Sequence, residues 1–458
     1  MHSAYNEVAR ILNCDTQVAK AHETFDPTAG LVLNVRLLVT IKKSLMSLIR
    51  PFAGLRPAAS RAADVIAPPY DVLSSEEARV RAAGKPWSFL HISKPEIDLA
   101  PGTNPYDAAV YAKARENFDR LLQAGVLARD PEPYYYFYRL VMGSHTQVGL
   151  VAAASVAAYE AGRIRRHEFT RPDKEDDRVR QIDALNAQTG PVFLTYRHFP
   201  KIDAMAEIVT RGQPEVDVTA DDGVRHSLWP VRDRKLIKGL TEAFEVLDKL
   251  YVADGHHRSA AAARVTAARK ASNPKHTGAE AYNYFLAVIF PDNQMQILDY
   301  NRAVKDLNGL AREAFLKKLD DSFSVIPESV AVKPARAGEF GMYLKGQWYR
   351  LAIRPERIPQ HDPVKRLDVS LLQDNLLAPI LGIGDPRRDK RIDFIGGIRG
   401  LKELERRVDS GEMAVAFALF PTSIHDMMAV ADANEVMPPK STWFEPKLAD
   451  GLVSHVLD

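Results

Sequence analysis

One stretch constrains this chain more than any other: LYVADGHHRSAAAARVTAARKA, beginning at Leu250. Its first residues are apolar, its last are rich in alanine, and a glycine joins them. That predicts a buried strand, a tight turn and a helix in immediate succession. The turn carries Asp254, Gly255, His256, His257, Arg258 and Ser259. Unpaired N–H groups at a helix start, together with the helix dipole, favour an anion, and phosphate is the expected guest. Gly255 lets the backbone approach a ligand closely, and Arg258 can grip phosphate oxygens with two prongs. An aspartate beside phosphate needs a cation or a hydroxyl proton to offset its charge, so Asp254 points to Mg²⁺ bound between carboxylate and nucleotide. A helix-capping Asp254 with two filler histidines accounts for the same letters equally well. The adjacent pair His256 and His257 lacks the spacing that aims two imidazoles at one ion, so a zinc hydrolase is not expected.

Composition removes several classes of protein. At 458 residues, 46% apolar and 26% charged, the chain has ordinary globular usage and room for two or three domains. Lys+Arg 61 against Asp+Glu 59 gives +2, too near balance for the whole surface to bind a polyanion, so nucleic acid is not the expected partner. The single cysteine, Cys14, cannot form an internal disulfide. No run approaches the roughly 18 apolar residues of a spanning helix. Residues 31–39 are broken by Asn34 and Arg36, and Glu7, Asp15, Glu23 and Asp26 argue against a targeting peptide. A cytoplasmic protein with no membrane partner is expected, and a homo-oligomer is left open.

Residues 1–47 read as an extension that is not essential, residues 48–305 as the nucleotide-binding catalytic domain, and residues 306–458 as a further α/β module. Ser74 or Ser75 should cap a helix, a second should cover 106–125, and YYYFYRLVMG should turn at Gly143-Ser144 into a long partner strand through QVGLVAAASVAAYEAGRI. A helix is expected from about Asp176, and a strand after Thr189-Gly190-Pro191. AYNYFLAVIFP reads as a buried strand and GMYLKGQWYRLAI as a hairpin about Lys345-Gly346. RIDFIGG, GLKELERRVDSGE, AVAFALF and SIHDMMAVADANE alternate strand and helix, the pattern of crossover units.

Four other places can carry chemistry. Residues 163–178 crowd both signs of charge, which taken alone is a solvated face, yet Glu168 beside His167 ends a strand and could deprotonate a hydroxyl. Tyr70 and Asp71 follow Pro68-Pro69 on a stiff elbow, for which a plain turn is the simpler account. Lys440, Ser441, Thr442 and Lys447 lie on a proline-braced loop that either clamps phosphate or ties down the C-terminus. Asn301-Arg302 is a weaker candidate of the same kind.

In this order IAPPYDV, RRHEFTRPDKEDDR, NAQTGPVF, YVADGHHRSAAA, YNRAV and MPPKSTWFEPKLADGL resemble the motifs of the domain of unknown function 1015 family, from about residue 48 onward. More distantly, DGHHR after a strand is similar to the phosphate turn of the ParB and sulfiredoxin superfamily, especially its free serine kinases. That resemblance implies an α/β (α+β) fold with a ParB/sulfiredoxin-like nucleotide-binding core and an additional C-terminal α/β module. It implies ATP or a related nucleotide with Mg²⁺, a small hydroxyl acceptor led by free L-serine, and catalytic roles for Glu168 and Asp254. Gly255, His256, His257, Arg258, Ser259, Arg302, Lys440, Ser441, Thr442 and Lys447 would bind the phosphates. Tyr70, Asp71, His167, Thr170 and Asn186 would meet the acceptor. Sulfiredoxin chemistry needs a cysteine in the turn, where His256 stands here, so that chemistry is not expected. A regulatory nucleotide-binding module is the alternative reading, and a ParB-like nucleic-acid protein the third.

Overall fold

The apolar runs of the sequence become the strands of two sheets. The computed structural model describes residues 47–458, so the expected N-terminal extension lies outside the described residues except for Ser47. The first sheet contains β1 (Ile49–Arg50), β2 (Tyr135–Met142), β3 (His145–Ser155), β4 (Ile164–Arg165), β5 (Val192–Tyr196), β6 (Val216–Thr219), β7 (Arg225–Val231), β8 (Leu250–Asp254) and β9 (Tyr284–Pro291). Their order is β4-β8-β5-β9-β3-β2-β7-β6, with β1 also paired to β3. Two pairs, β4 with β8 and β5 with β9, are parallel. Every residue of β9 is buried, as an uninterrupted apolar strand requires when both faces of its sheet are covered.

Local signals set the helices. Ser74 and Glu77 form a reciprocal capping box at the start of α1 (Ser75–Ala82), and α2 spans Ala108–Gln123. The helix expected from Asp176 begins earlier, as α3 (Pro172–Leu185), because proline suits the first helical turn, where an N–H would be orphaned anyway. The strand expected to run on past Ser155 stops there. The Ser155 hydroxyl accepts the Ala158 N–H and starts the short helix Val156–Glu160. The glycine-led helix is α4 (His256–Ser272), which packs against α3, as α3 does against α2.

The second sheet contains β10 (Tyr300–Val304), β11 (Phe323–Glu328), β12 (Glu339–Leu344), β13 (Gln347–Ile353), β14 (Ile392–Gly396) and β15 (Val415–Leu419). The order is β11-β13-β12-β15-β10-β14, with every neighbouring pair antiparallel. This corrects the expectation of simple crossover units. β14 and β15, joined through α5 (Leu401–Asp409), run parallel to each other, but β10 lies between them and is antiparallel to both, a split crossover. The alternating pattern shows that a crossover exists; it cannot show that a strand from elsewhere fills the gap.

The chain then returns to the first sheet's side. Trp443–Glu445 pairs with Gln296–Leu298, and His455–Val456 with Ala187–Gln188. Among the described residues no helix is long and apolar enough to cross a membrane.

Aromatic packing links this return to the sheet. The Phe193 ring lies 4.7 Å from Phe290 and 5.8 Å from Phe444, centre to centre. Gly149 makes room for that stack, since a Cβ there would stand 2.7 Å from Phe290 Cε1. Phe290 is fully buried and has nowhere to go. Gly149→Ala is therefore expected to cost about 1–3 kcal/mol of unfolding free energy by overpacking, measured by denaturant titration. An unchanged midpoint would show that the ring can move.

Candidate functional site

Because β4 and β8 run parallel, with Ile164 opposite Leu250 and Arg165 opposite Tyr251, the two segments leave the sheet at the same end. His167-Glu168 and Asp254-Gly255 therefore arrive together. Gly255 adopts φ 95°, a left-handed conformation that glycine tolerates and that swings the chain from strand into α4. Space is short there as well, since a Cβ would sit 3.4 Å from Val192 Cα. Among the described residues no side chain caps α4, so its positive end is directed at whatever occupies the turn.

A cavity of about 1010 Å³ opens in front of this turn. Its walls include Glu168, Thr170, Asp254, His257, Lys440 and Lys447. Tyr70, Asp71 and Thr442 also reach it, so nine of the residues singled out in the sequence share one space. Asp254 Oδ1 accepts the Gly255 N–H at 2.8 Å, and Lys447 Nζ stands 3.0 Å from Asp254 Oδ2. Burial opposes charge on Asp254, but Lys447 and Arg258 outweigh it and hold the carboxyl well below the usual carboxylate range. Glu168, by contrast, is 37% exposed and faces the cavity. His257 Nε2 accepts the Arg171 N–H at 3.1 Å, which fastens the loop after Glu168 to the first turn of α4.

Several expected ligand contacts are not made. Arg258 points away from the large cavity: its guanidinium donates to the Pro191 carbonyl at 2.7 Å and to Asp71 Oδ2 at 2.9 Å, and it is 10% exposed. Tyr70 is held between Arg178, 3.8 Å from its ring centre, and Arg258, 5.2 Å away. Ser259 is buried and donates to the His256 carbonyl at 3.1 Å. His256 is buried with its ring at 4.5 Å, edge to face, from that of the equally buried His167. Burial lowers His167 to about 3 and His256 to about 4, so both imidazoles are neutral. Arg302 is buried, donating to the Tyr300 carbonyl at 2.5 Å and the Lys440 carbonyl at 2.9 Å, where it shapes the Lys440 loop instead of meeting a ligand. Ser441 donates to the Pro438 carbonyl at 2.6 Å for the same purpose. Asn186, left-handed at φ 50°, ends α3 and accepts from Arg269 at 2.6 Å, outside the cavity.

Sequence reading missed the aromatic wall of Tyr106, Tyr300, Phe394 and Trp443. Trp443 sits inside a motif that drew attention for its charges, whereas Tyr106 and Phe394 carry no local signal. Only the approach of four distant segments brings these rings together. Lys174, on α3, lines the cavity too and donates to the Tyr106 hydroxyl at 2.6 Å.

Asp450, outside the cavity lining, is buried, and its Oδ1 has no partner among the described residues. Burial raises its carboxyl to about 7, against the opposing pull of Arg258. An unfolded aspartate titrates near 3.9, so between about pH 4 and pH 7 the folded state binds more protons and stability falls as pH rises. Asp450→Asn should flatten that part of the pH–stability curve measured by denaturant unfolding; an unaltered slope would assign it to another group. Arg258→Ala should cost about 2–3 kcal/mol of stability, less than the fully buried case because Asp71 is partly exposed. A variant with wild-type stability and weakened ligand binding would instead restore Arg258 as a ligand-binding residue.

The architecture is thus that of a mixed α/β protein whose strand-to-helix turn opens onto a charged cavity. Over residues 49–370 the sequence matches the family described as Protein of unknown function (DUF1015), and the chain belongs to that family. No curated protein matched the sequence. Among solved structures, a free serine kinase in complex with ADP is similar at 14% identity, over 64% of this chain and 87% of its own, with a TM-score of 0.30. A conserved hypothetical protein from Pyrococcus furiosus is 15% identical over 66% of this chain and 93% of its own, at 0.32. SbnI from Staphylococcus aureus, truncated at its C-terminus, is 12% identical over 66% and 85%, at 0.34. Likenesses this remote do not place a ligand.

Proposed function

We propose that this protein transfers the terminal phosphoryl group of ATP or a related nucleotide to the hydroxyl of a small acceptor, with free L-serine the leading acceptor. One observation supports it above the rest. Glu168, a partly exposed carboxylate with no Lys or Arg partner among the described residues, shares a cavity with the Asp254–Lys447 pair and the start of α4. In this reading the nucleotide phosphates lie at the α4 start, between Lys447, Lys440 and His257. Asp254, ionised and facing the cavity, is the hard oxygen donor that Mg²⁺ prefers, and the ion arriving with the nucleotide would neutralise phosphate charge.

Glu168 takes the proton from the acceptor hydroxyl as its oxygen attacks the terminal phosphorus. The new O–P bond forms, the bond to the bridging oxygen breaks, and the nucleoside diphosphate leaves. Lys447 and Lys440 offset the charge that spreads over the transferred group. Thr170, Tyr70 and Asp71 stand on the acceptor's side of the cavity. Residues 48–305 would hold the nucleotide, and the loop of residues 436–447 would close over it. The preference for serine comes from the family resemblance in the sequence. A cavity of about 1010 Å³ admits a nucleotide and a small acceptor together.

Incubation with ATP, Mg²⁺ and an amino-acid panel should yield phosphoserine, read by mass spectrometry; nucleotide binding with no turnover on any acceptor would favour a regulatory module instead. Glu168→Gln should lower the transfer rate by about 10²–10⁴-fold while leaving the nucleotide Kd unchanged. Retained activity in that variant would remove Glu168 as the base. Lys447→Met should weaken nucleotide binding by about tenfold, checked by calorimetry.

A further inference from the structure

The two buried histidines at the β4 and β8 exits have an unmet chemical need. His167 is 0% exposed and His256 3% exposed. Among the described residues neither ring nitrogen of His167 completes a hydrogen bond, nor does Nε2 of His256. A buried polar atom left unpaired costs about 1–3 kcal/mol, and several in one place call for a partner. Their rings meet edge to face at 87°, and Glu168 Oε2 lies 3.6 Å from His256 Nδ1. Each of the three residues offers a ligand atom, and these atoms lie within 4.8 Å of one another.

We propose that His167, His256 and Glu168 form a binding site for a late divalent metal ion of the Zn²⁺ type. Two neutral imidazoles and a carboxylate suit zinc and its neighbours, whereas Mg²⁺ prefers oxygen and keeps its water, so this site differs in kind from Asp254. Ligand bonds of roughly 2.0–2.2 Å require the three donors to draw closer together than they stand. Glu168, 37% exposed on the cavity wall, has the freedom to make that movement, and the same cavity is the entry path. The Val252 backbone lies beside the His167 ring and would take the proton on the nitrogen that does not bind metal, the usual way a ligating histidine is oriented. The fold supplies the arrangement. His256 pairs with a histidine 89 residues away across two parallel strands, not with its sequence neighbour His257, which is turned to Arg171.

Binding itself does not depend on the phosphoryl-transfer reading. One consequence does rest on that reading: a bound metal would occupy the Glu168 carboxylate and suppress transfer.

The full chain, stripped with chelator and dialysed against Zn²⁺ or Co²⁺ in excess Mg²⁺ without nucleotide or acceptor, tests the site. One metal per chain by elemental mass spectrometry is expected, with a Co²⁺ visible spectrum showing nitrogen ligation. Glu168→Gln, at a partly exposed position, should weaken metal binding at least about tenfold while keeping the wild-type circular dichroism spectrum. His256→Gln and His167→Asn should abolish it. Wild-type protein that retains no metal, a Co²⁺ spectrum without imidazole ligation, or metal binding that survives all three substitutions would each overturn the proposal. Because no substrate is present, failure here and failure of phosphoryl transfer are separate results.

Discussion

The contact between Asp254 and Lys447 is the constraint around which the cavity is organised. Asp254 sits where a strand becomes a helix, and burial alone would push its carboxyl toward neutrality. A cation 3.0 Å away keeps it charged, and that cation is supplied from 193 residues further along the chain. The C-terminal segment is therefore part of the site, not an appendage. Its position is fixed by backbone bonds as well, since the Met437 N–H donates to the His167 carbonyl at 2.9 Å and Ala67 and Asp450 exchange N–H to carbonyl bonds at 3.1 and 2.9 Å.

Two layers of charge lie around the turn, and burial separates their roles. Arg178 and Arg258 flank Tyr70 beside Asp71; Tyr70, Asp71 and Arg178 line the cavity while Arg258 and the buried Asp450 do not, and each guanidinium is 14% exposed or less. At that depth an arginine without partners would be costly, so Arg258 donates to a carbonyl and a carboxylate, while its Nε finds no partner among the described residues. Lys440 and Lys447 reach the cavity itself, on flexible stems that can follow an incoming charge. Arg178 and Arg258 are held rigidly around Tyr70, and Lys440 and Lys447 reach into the cavity.

How much of this was legible in the sequence varies from residue to residue. The strand, the glycine turn and the helix at residues 250–272 were, because each is dictated by local forces: apolar continuity, a left-handed φ and alanine propensity. Asp254, Glu168, Lys440 and Lys447 stand in the sequence as separate candidates, Asp254 and the lysines with an equally good structural reading and Glu168 in a stretch that reads more readily as a solvated face, until the fold puts them in one space. His256 and Arg258 were drawn as phosphate ligands because the motif places them beside Asp254. Successive residues of a helix point about 100° apart, so His256 and Arg258 leave α4 on nearly opposite sides, the first against His167 and the second toward Pro191 and Asp71.

The sequence by itself determined the local elements, the charge supply and the glycine hinge, since these follow from residues within one or two turns of each other. Only the tertiary structure decided that β10 would split a crossover, that His167 and not His257 would meet His256, and that a lysine near the C-terminus would neutralise Asp254. Those outcomes depend on strand order and chain return, which bring together residues whose separation along the chain leaves no trace in any window of sequence.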